Sequence, residues 1–428
     1  MKLHSTMTPS EPDVIVIGAG LAGLCCARRL FQCGISFRVY EAADGVGGRV
    51  RTDLVDGFRL DRGFQIFLPS YPEARRVLDY AALDLRPFDR GALVRFRGRF
   101  HRVADPRFEF LKGAASAFNP IGNLRDKLRL VRYKWRLDES GTDPAQLDER
   151  TTLDELRGIG GFSDSIVDRL LRPFLAGVFL EPHLATSNRM LRFLVPKFAD
   201  GGGAIPALGM QAIPDQIAAG LPSGTIALKH KVESVRRNEV RLASGQVLEP
   251  RAVVIAVEGP EAARLTNGQI PLREGCSSTT IYFAADRSPV DGASLVLDGD
   301  GKGPINSLAV LSQVSAAYAP AGKALVAASR IGLPTADDAS FEREVREQLG
   351  DWFGHQVTRW TLLRIDRIRY SLPDQTAGTL DPWQRPVRLA PGLYVCGDHR
   401  DNGSIDGAMT SGFRAAQAAM ADLAAKAT

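Results

Sequence analysis

The chain has 428 residues, too many for one ordinary domain, so two or three are expected. It is 44% hydrophobic and 24% charged, which excludes a disordered or fibrous protein. The net charge is +5, yet residues 91–140 alone hold twelve Lys/Arg against five Asp/Glu, a local excess suited to an acidic partner or a membrane surface.

The first twelve residues are polar, contain Pro9 and Pro12, and lead straight into a strand pattern. They are expected to be a tail on a cytoplasmic protein, not a cleaved signal. Val14 to Ile17 is a short apolar run of the kind a buried parallel strand needs. Gly18, Gly20 and Gly23 follow as G-x-G-x-x-G. The first permits a tight turn, the second lets the backbone approach a pyrophosphate, and the third lets a helix over residues 21–32 pack on the strand. That helix points its positive end at the phosphates. Phe37 to Tyr40 reads as the second strand, and Glu41 ends it, placed to accept hydrogen bonds from adenosine ribose hydroxyls. Gly45, Gly47, Gly48 and Arg49 then form a second glycine loop, whose guanidinium suits bidentate contact with a pyrophosphate.

The run Gly47-Gly48-Arg49-Val50-Arg51-Thr52 resembles the GG-R-x-x-T signature of the flavoprotein superfamily of flavin amine oxidases, phytoene desaturases and protoporphyrinogen oxidases. The resemblance implies FAD as the cofactor. None of the five cysteines stands in a familiar flavin-linkage context, so the FAD is expected to be non-covalent. The segment Phe58 to Gln65 looks like the family's stretch near the isoalloxazine, which implies cofactor contacts from Gly63 and Phe64 and a flavin-facing Gln65.

Helical patterns dominate residues 108–139 and 161–175. Within the first, residues 121–137 space Leu124, Leu128, Val131 and Trp135 along one helix stripe beside Arg125, Arg129, Arg132 and Arg136. A basic amphipathic helix is a candidate interfacial anchor; the simpler alternative is a domain helix with a solvated basic face. No recognised nucleic-acid module accompanies the charge, so nucleic-acid binding is not expected. Pro206 to Met210 resembles the family's P-x-G-G-M turn, although Ala207-Leu208 depart from its glycine pattern. Residues 228–257 alternate like a β-meander followed by a strand, and by resemblance Val232 lies against the adenine and Ala256 near the ribose. Further strand patterns, a helix near 339–353 and another strand fill residues 278–365. Tyr282 is a flavin-facing candidate there.

Leu393 to Cys396 reads as a buried strand ending in Gly397-Asp398, which by resemblance approach the ribityl chain and pyrophosphate. Ser404 is a plausible N-cap and Asp406 a first-turn acid for a helix reaching about Ala425. Gly407 and Ala408 leave its first turn nearly bare, and in the family this end faces the flavin pyrimidine. Arg400 is a candidate for an acidic substrate group and Asp401 for a proton acceptor; loop capping or surface salt bridging is the competing role for both. His399 reads as a loop hydrogen-bonder, not a base. The cysteines contain no C-x-x-C pair and read as reduced, buried thiols. The six histidines lack ligand spacing, so no metal site is expected.

The expected architecture is α/β: a discontinuous Rossmann-like FAD-binding domain (1–75, 196–262 and 386–428) with a mixed-sheet plus helical substrate-binding domain (76–195 and 263–385). The family offers carbon dehydrogenation, amine oxidation and redox-neutral isomerisation on reduced flavin. The stretch Cys276 to Ala285 contains no lysine where amine oxidases place one, and Asp401 to Ser404 replaces their aromatic. The expectation is therefore a desaturase-like FAD oxidoreductase acting on an apolar or amphipathic small molecule, reoxidised by oxygen or a quinone. Flavin amine oxidation and isomerisation remain the alternatives.

Overall fold

A computed structural model describes residues 12–104, 120–140, 143–236 and 239–425. The tail expected at residues 1–11, and the part of the predicted helix over 108–119, lie outside them. The chain divides into two compact units, one formed by Met1–Val50, Pro214–Arg273 and Arg385–Thr428, the other by Arg51–Ile213 and Glu274–Gln384. Residues 51–75 and 196–213, grouped by the sequence pattern with the cofactor motifs, fall in the second unit.

The first unit is built on a six-stranded sheet. Its order is Arg388–Ala390, Leu393–Val395, Ala252–Ile255, Val14–Ile17, Phe37–Tyr40 and Ile226–Ala227. Every pairing is parallel except that of Arg388–Ala390 with its neighbour. The central strands Val14–Ile17 and Ala252–Ile255 are buried along their whole length, which is why they read as continuous apolar runs. The chain leaves Val14–Ile17 toward Phe37–Tyr40 on one side, and Ala252–Ile255 lies on the other. That reversal leaves a crevice at the carboxyl ends of the strands, the usual ligand site of such sheets. The meander Val232–Arg236, Glu239–Leu242 and Val247–Leu248 forms a separate three-stranded sheet, as its alternation predicts. Two helices complete the layer, Leu21–Gln32 and Ile405–Ala425. They meet backbone to backbone, since a Cβ on Gly412 would fall within contact of the Ala22 carbonyl.

The second unit centres on a seven-stranded mixed sheet ordered Thr361–Pro373, Gly275–Ala285, Ala324–Ile331, Ser307–Val310, Leu295–Asp298, Gly91–Phe96 and Arg99–Ala104. The helix Asp338–Phe353 buries Phe341, Val345, Leu349 and Trp352, one face at helical spacing, against Ile281, Phe283 and Val326 of that sheet. A hairpin, Thr52–Val55 with Phe58–Asp61, belongs to the same unit.

The basic helix spans Leu124–Ser140. Its buried side is Asp126, Tyr133 and Leu137. Asp126 accepts hydrogen bonds from Asn123 and Ser163, and Tyr133 donates to the buried Glu155 at 3.2 Å. The apolar row therefore faces outward: Leu124 is 62%, Leu128 65%, Val131 62% and Trp135 61% exposed. No helix of the described residues is long and apolar enough to cross a membrane. Cys25, Cys26 and Cys396 are buried thiols, but Cys33 is exposed and Cys276 half-buried, so the expectation of buried thiols needs correction at those two positions.

Candidate cofactor site

The carboxyl ends of three neighbouring strands carry Gly18, Ala256 and Gly397. Gly18 has φ +102°, and a Cβ on it would stand 2.6 Å from the Ala256 carbonyl oxygen. A Cβ on Gly23 would overlap the Gly18 carbonyl and stand 3.2 Å from the Ala256 Cβ, so the helix rides directly on the turn. Gly20 differs: a Cβ there would meet nothing within 4 Å. It caps the helix amino end with its backbone extended, facing open space where a phosphate can approach.

The second glycine loop closes on the first. The Gly47 amide donates to the Ala19 carbonyl at 2.8 Å, Gly20 and Gly47 form a parallel bridge, and a Cβ on Gly48 would lie 3.4 Å from the Gly20 Cα. Glu41 accepts from the Ala19 amide at 2.7 Å and from the Ala43 amide at 2.8 Å, one on each carboxylate oxygen. Those two bonds fix the carboxylate and leave further lone pairs for ribose hydroxyls. Arg49 pairs with Asp398 at 2.7 Å, which ties the loop after Glu41 to the end of Leu393–Val395. Asp398 is 4% exposed. Burial pushes the nearby Glu258 carboxyl up, with Arg49 opposing. Val232 and Ala256 are both buried, and the Ala256 amide donates to the Ile17 carbonyl.

Gly407 owes its identity to the loop before it, because a Cβ there would overlap the Asn402 carbonyl oxygen. Ser404 caps this helix as its sequence position predicts, accepting from the Gly407 amide at 2.9 Å, and the half-buried Ala408 follows. Asp401 is 3% exposed, accepts from Arg414 at 3.2 Å and from Asn402 at 2.9 Å, and is pushed up to about 6 by burial. Arg400 corrects its expected role. Its guanidinium donates to the Pro386 carbonyl, and burial with Arg385, Arg414 and Arg273 nearby lowers it to about 10. Arg400 and Asp401 hold the loop together. His399 also departs from expectation. It is 7% exposed, and neither ring nitrogen has a hydrogen-bond partner among the described residues.

Gly63, Phe64, Gln65 and Tyr282 lie in the second unit and cluster there. The Gly63 amide donates to Asp366 at 3.4 Å and the Phe64 amide to the Thr280 hydroxyl at 3.1 Å. The half-buried Gln65 donates to the Arg62 carbonyl at 3.0 Å. Tyr282 corrects its expected role, because it is fully buried and its hydroxyl donates to the Asp61 carbonyl at 2.7 Å. Asp61 is a node that the sequence did not single out. Its carboxylate accepts from Thr52, the Met210 amide and Tyr318, and burial raises it to about 6. The Met210 contact explains the fixed turn at Pro206 to Met210.

The fold and the glycine cradle together define a dinucleotide-binding oxidoreductase class. The profile of the family described as flavin containing amine oxidoreductase matches residues 21–420. The chain belongs to that family, and FAD is its cofactor. Coproporphyrinogen III oxidase of Mycobacterium tuberculosis is 27% identical over 305 residues, 62% of this chain and 62% of that protein. Phytoene dehydrogenase of Streptomyces griseus is 26% identical over 312 residues, 64% and 61%. These matches span less than two thirds of either relative. Putrescine oxidase bound to putrescine superposes with a TM-score of 0.72 over 96% of this chain and 99% of that one, at 17% identity, a likeness of fold alone.

Proposed function

We propose that the chain is an FAD-dependent oxidoreductase of the desaturase-like kind, taking a hydride equivalent from a C–H bond of an apolar or amphipathic small molecule. The first unit is the FAD-binding domain and the second the substrate-binding domain. Oxygen or a quinone reoxidises the flavin. The observation that carries the reading is the cradle of Gly18, Gly20, Gly23, Gly47 and Gly48 between Glu41 and the Arg49–Asp398 pair, which complements ribose, pyrophosphate and ribityl groups in sequence. FAD supplies the two-electron acceptor; the protein positions the substrate carbon against it. The strand Gly275–Ala285 contains no lysine, and Asp401 to Ser404 contains no aromatic, so neither place selects an amine. Two relatives are named for a porphyrinogen and for phytoene. Gln65 remains a flavin-facing candidate, with Gly63, Phe64, Val232, Ala256, Gly407 and Ala408 as cofactor neighbours. The test is anaerobic bleaching of the oxidised-flavin visible band by a panel of porphyrinogens, polyenes and simple amines. Bleaching by amines alone refutes the carbon-dehydrogenation reading.

The same reading gives the helix Leu124–Ser140 a peripheral membrane contact, as an entry for an apolar substrate. Its outward row of Leu124, Leu128, Val131 and Trp135 is flanked by the exposed Arg125, Arg132 and Arg136, an apolar stripe bordered by cations that suits an anionic lipid surface. Cosedimentation with anionic liposomes at low salt tests it; no binding there ends it, and Trp135→Asp should abolish binding if it occurs.

A further inference from the structure

A cavity of about 780 Å³ lies within the second unit, between the helix Asp338–Phe353, the strand end at Arg330, the hairpin turn at Arg97 and the loop that follows Leu295–Asp298. Small-molecule sites commonly enclose about 300–1,000 Å³. The loop is already held in place. Asp298 accepts from the amides of Asp300, Gly301 and Lys302 at 3.1, 3.1 and 2.8 Å. From the helix, Gln348 donates to the Lys302 and Ile305 carbonyls at 2.8 and 2.9 Å. Gly303, at φ +90°, permits that contact, since a Cβ there would stand 2.6 Å from Gln348 Cδ.

Three of the lining carboxylates are committed: Asp298 to its loop, Asp300 to the Arg97 amide at 3.0 Å, and Asp351 to Arg95 at 3.1 Å. Five charged side chains are not. Arg97, Lys302 and Arg330 come from the turn, the loop and the strand, whereas Glu344 and Glu347, one turn apart, come from the helix. None of these five side chains has a hydrogen bond or ion pair among the described residues. Arg330 is the most buried of them. It continues the face of Val326 and Ala328 that packs on the helix, and its Nε is sealed without a partner, which leaves the two Nη atoms to the cavity. The buried Trp352 and half-buried Pro304 add an apolar surface.

A partly desolvated guanidinium favours a carboxylate, which it can hold by two parallel hydrogen bonds. A simple anion would meet the helix carboxylates, and a simple cation would meet Arg330. A zwitterion suits both walls. We propose that this cavity binds a zwitterionic amino acid with an apolar side chain, its carboxylate on Arg330, its ammonium toward Glu344 and Glu347, and its side chain against Trp352 and Pro304. The assignment needs nothing from flavin chemistry.

The test is calorimetric titration of the full-length, FAD-loaded protein with L-leucine, L-methionine and L-phenylalanine. The deamino and decarboxy analogues of each (4-methylpentanoate and 3-methylbutylamine for leucine) and O-phosphoethanolamine are titrated in parallel. At least one amino acid should bind with a Kd of about 1 mM or tighter, and both its analogues about tenfold more weakly, as loss of a charge-assisted hydrogen bond implies. Arg330→Met removes one charged wall, and Glu344→Gln with Glu347→Gln removes the other. Each variant should weaken the amino acid about tenfold while flavin absorbance stays unchanged. No binding by any of the three at about 10 mM overturns the proposal. So does an analogue, or O-phosphoethanolamine, that binds as tightly as the amino acid, because one charge or a phosphate would then suffice. Binding that survives both variants places the ligand elsewhere and overturns it too. The analogue comparison uses wild-type protein alone, so it decides even where a variant unfolds.

Discussion

Replacing Gly20 by alanine adds a methyl group that meets no protein atom within 4 Å, on a backbone at φ −71° and ψ 176° that alanine adopts freely. The flavin-free variant should therefore unfold within about 0.5 kcal/mol of wild type. In the proposed cofactor site the methyl would occupy the approach of the pyrophosphate. Loss of one charge-assisted hydrogen bond, about 1.5–3 kcal/mol, weakens FAD by about 10- to 100-fold. Gly23→Ala behaves differently. There a Cβ stands 3.1 Å from the Gly18 carbonyl carbon and closer still to its oxygen, so the helix Leu21–Gln32 must retreat from its strand. Overpacking of that kind costs about 1–3 kcal/mol. The helix regains about 1 kcal/mol from alanine's better propensity. Flavin-free Gly23→Ala should thus lose about 1–2 kcal/mol, and FAD affinity with it. Urea unfolding of the stripped proteins and quenching of flavin fluorescence on titration measure the two effects separately. Gly20→Ala binding FAD as tightly as wild type would refute the assignment of the pyrophosphate to this turn.

Arg49→Ala strips Asp398 of its guanidinium and should destabilise the flavin-free protein by about 2 kcal/mol, less than a fully buried pair because Arg49 is a third exposed. Adding Asp398→Asn should restore much of the urea midpoint but not FAD affinity; a double variant that binds FAD normally would exclude the pair from the site. Tyr282→Phe removes one buried hydrogen bond and should cost about 1 kcal/mol while leaving the rate of flavin reduction by substrate unchanged. A tenfold slower reduction would return Tyr282 to its flavin-facing role. Burial raises Asp61 to about 6, so the folded protein keeps a proton that the unfolded chain has already lost. Stability from this group is present below about pH 4, declines as pH rises through about 6, and is level above. Asp61→Asn should flatten that part of the stability–pH curve, and a slope identical to wild type's would rule the effect out.

Local chemistry made much of the cofactor unit legible. Gly18 and Gly23 announce a turn because only glycine tolerates those approaches, and the apolar run Val14 to Ile17 is the direct mark of burial on both faces. Ser404 is legible as a cap for the same local reason. Long-range contacts were not legible. The hairpin Thr52–Val55 with Phe58–Asp61 follows the glycine loops in sequence, yet its allegiance is set by Tyr318, Met210, and Arg364 on Asp53, residues hundreds of positions away or in another motif. Tyr282 illustrates a second limit: alternation says that a strand residue faces one side, but not whether that side is solvent or core. The helix Leu124–Ser140 shows the same ambiguity at its own period. Its apolar stripe is plain in the sequence, but the anchors that turn it outward are Asp126 and Tyr133, polar residues whose partners Ser163 and Glu155 lie on other elements.

The order of strands in the first sheet has a consequence for biosynthesis. As the chain emerges from the ribosome, Val14–Ile17 gains Phe37–Tyr40 at once but waits some two hundred residues for Ala252–Ile255, and the neighbour of that strand, Leu393–Val395, arrives later still. Until then a fully apolar strand has one bare edge, the condition that invites mispairing. Pigmentation should lag translation, and chains cut short before residue 393 should emerge colourless and prone to clump.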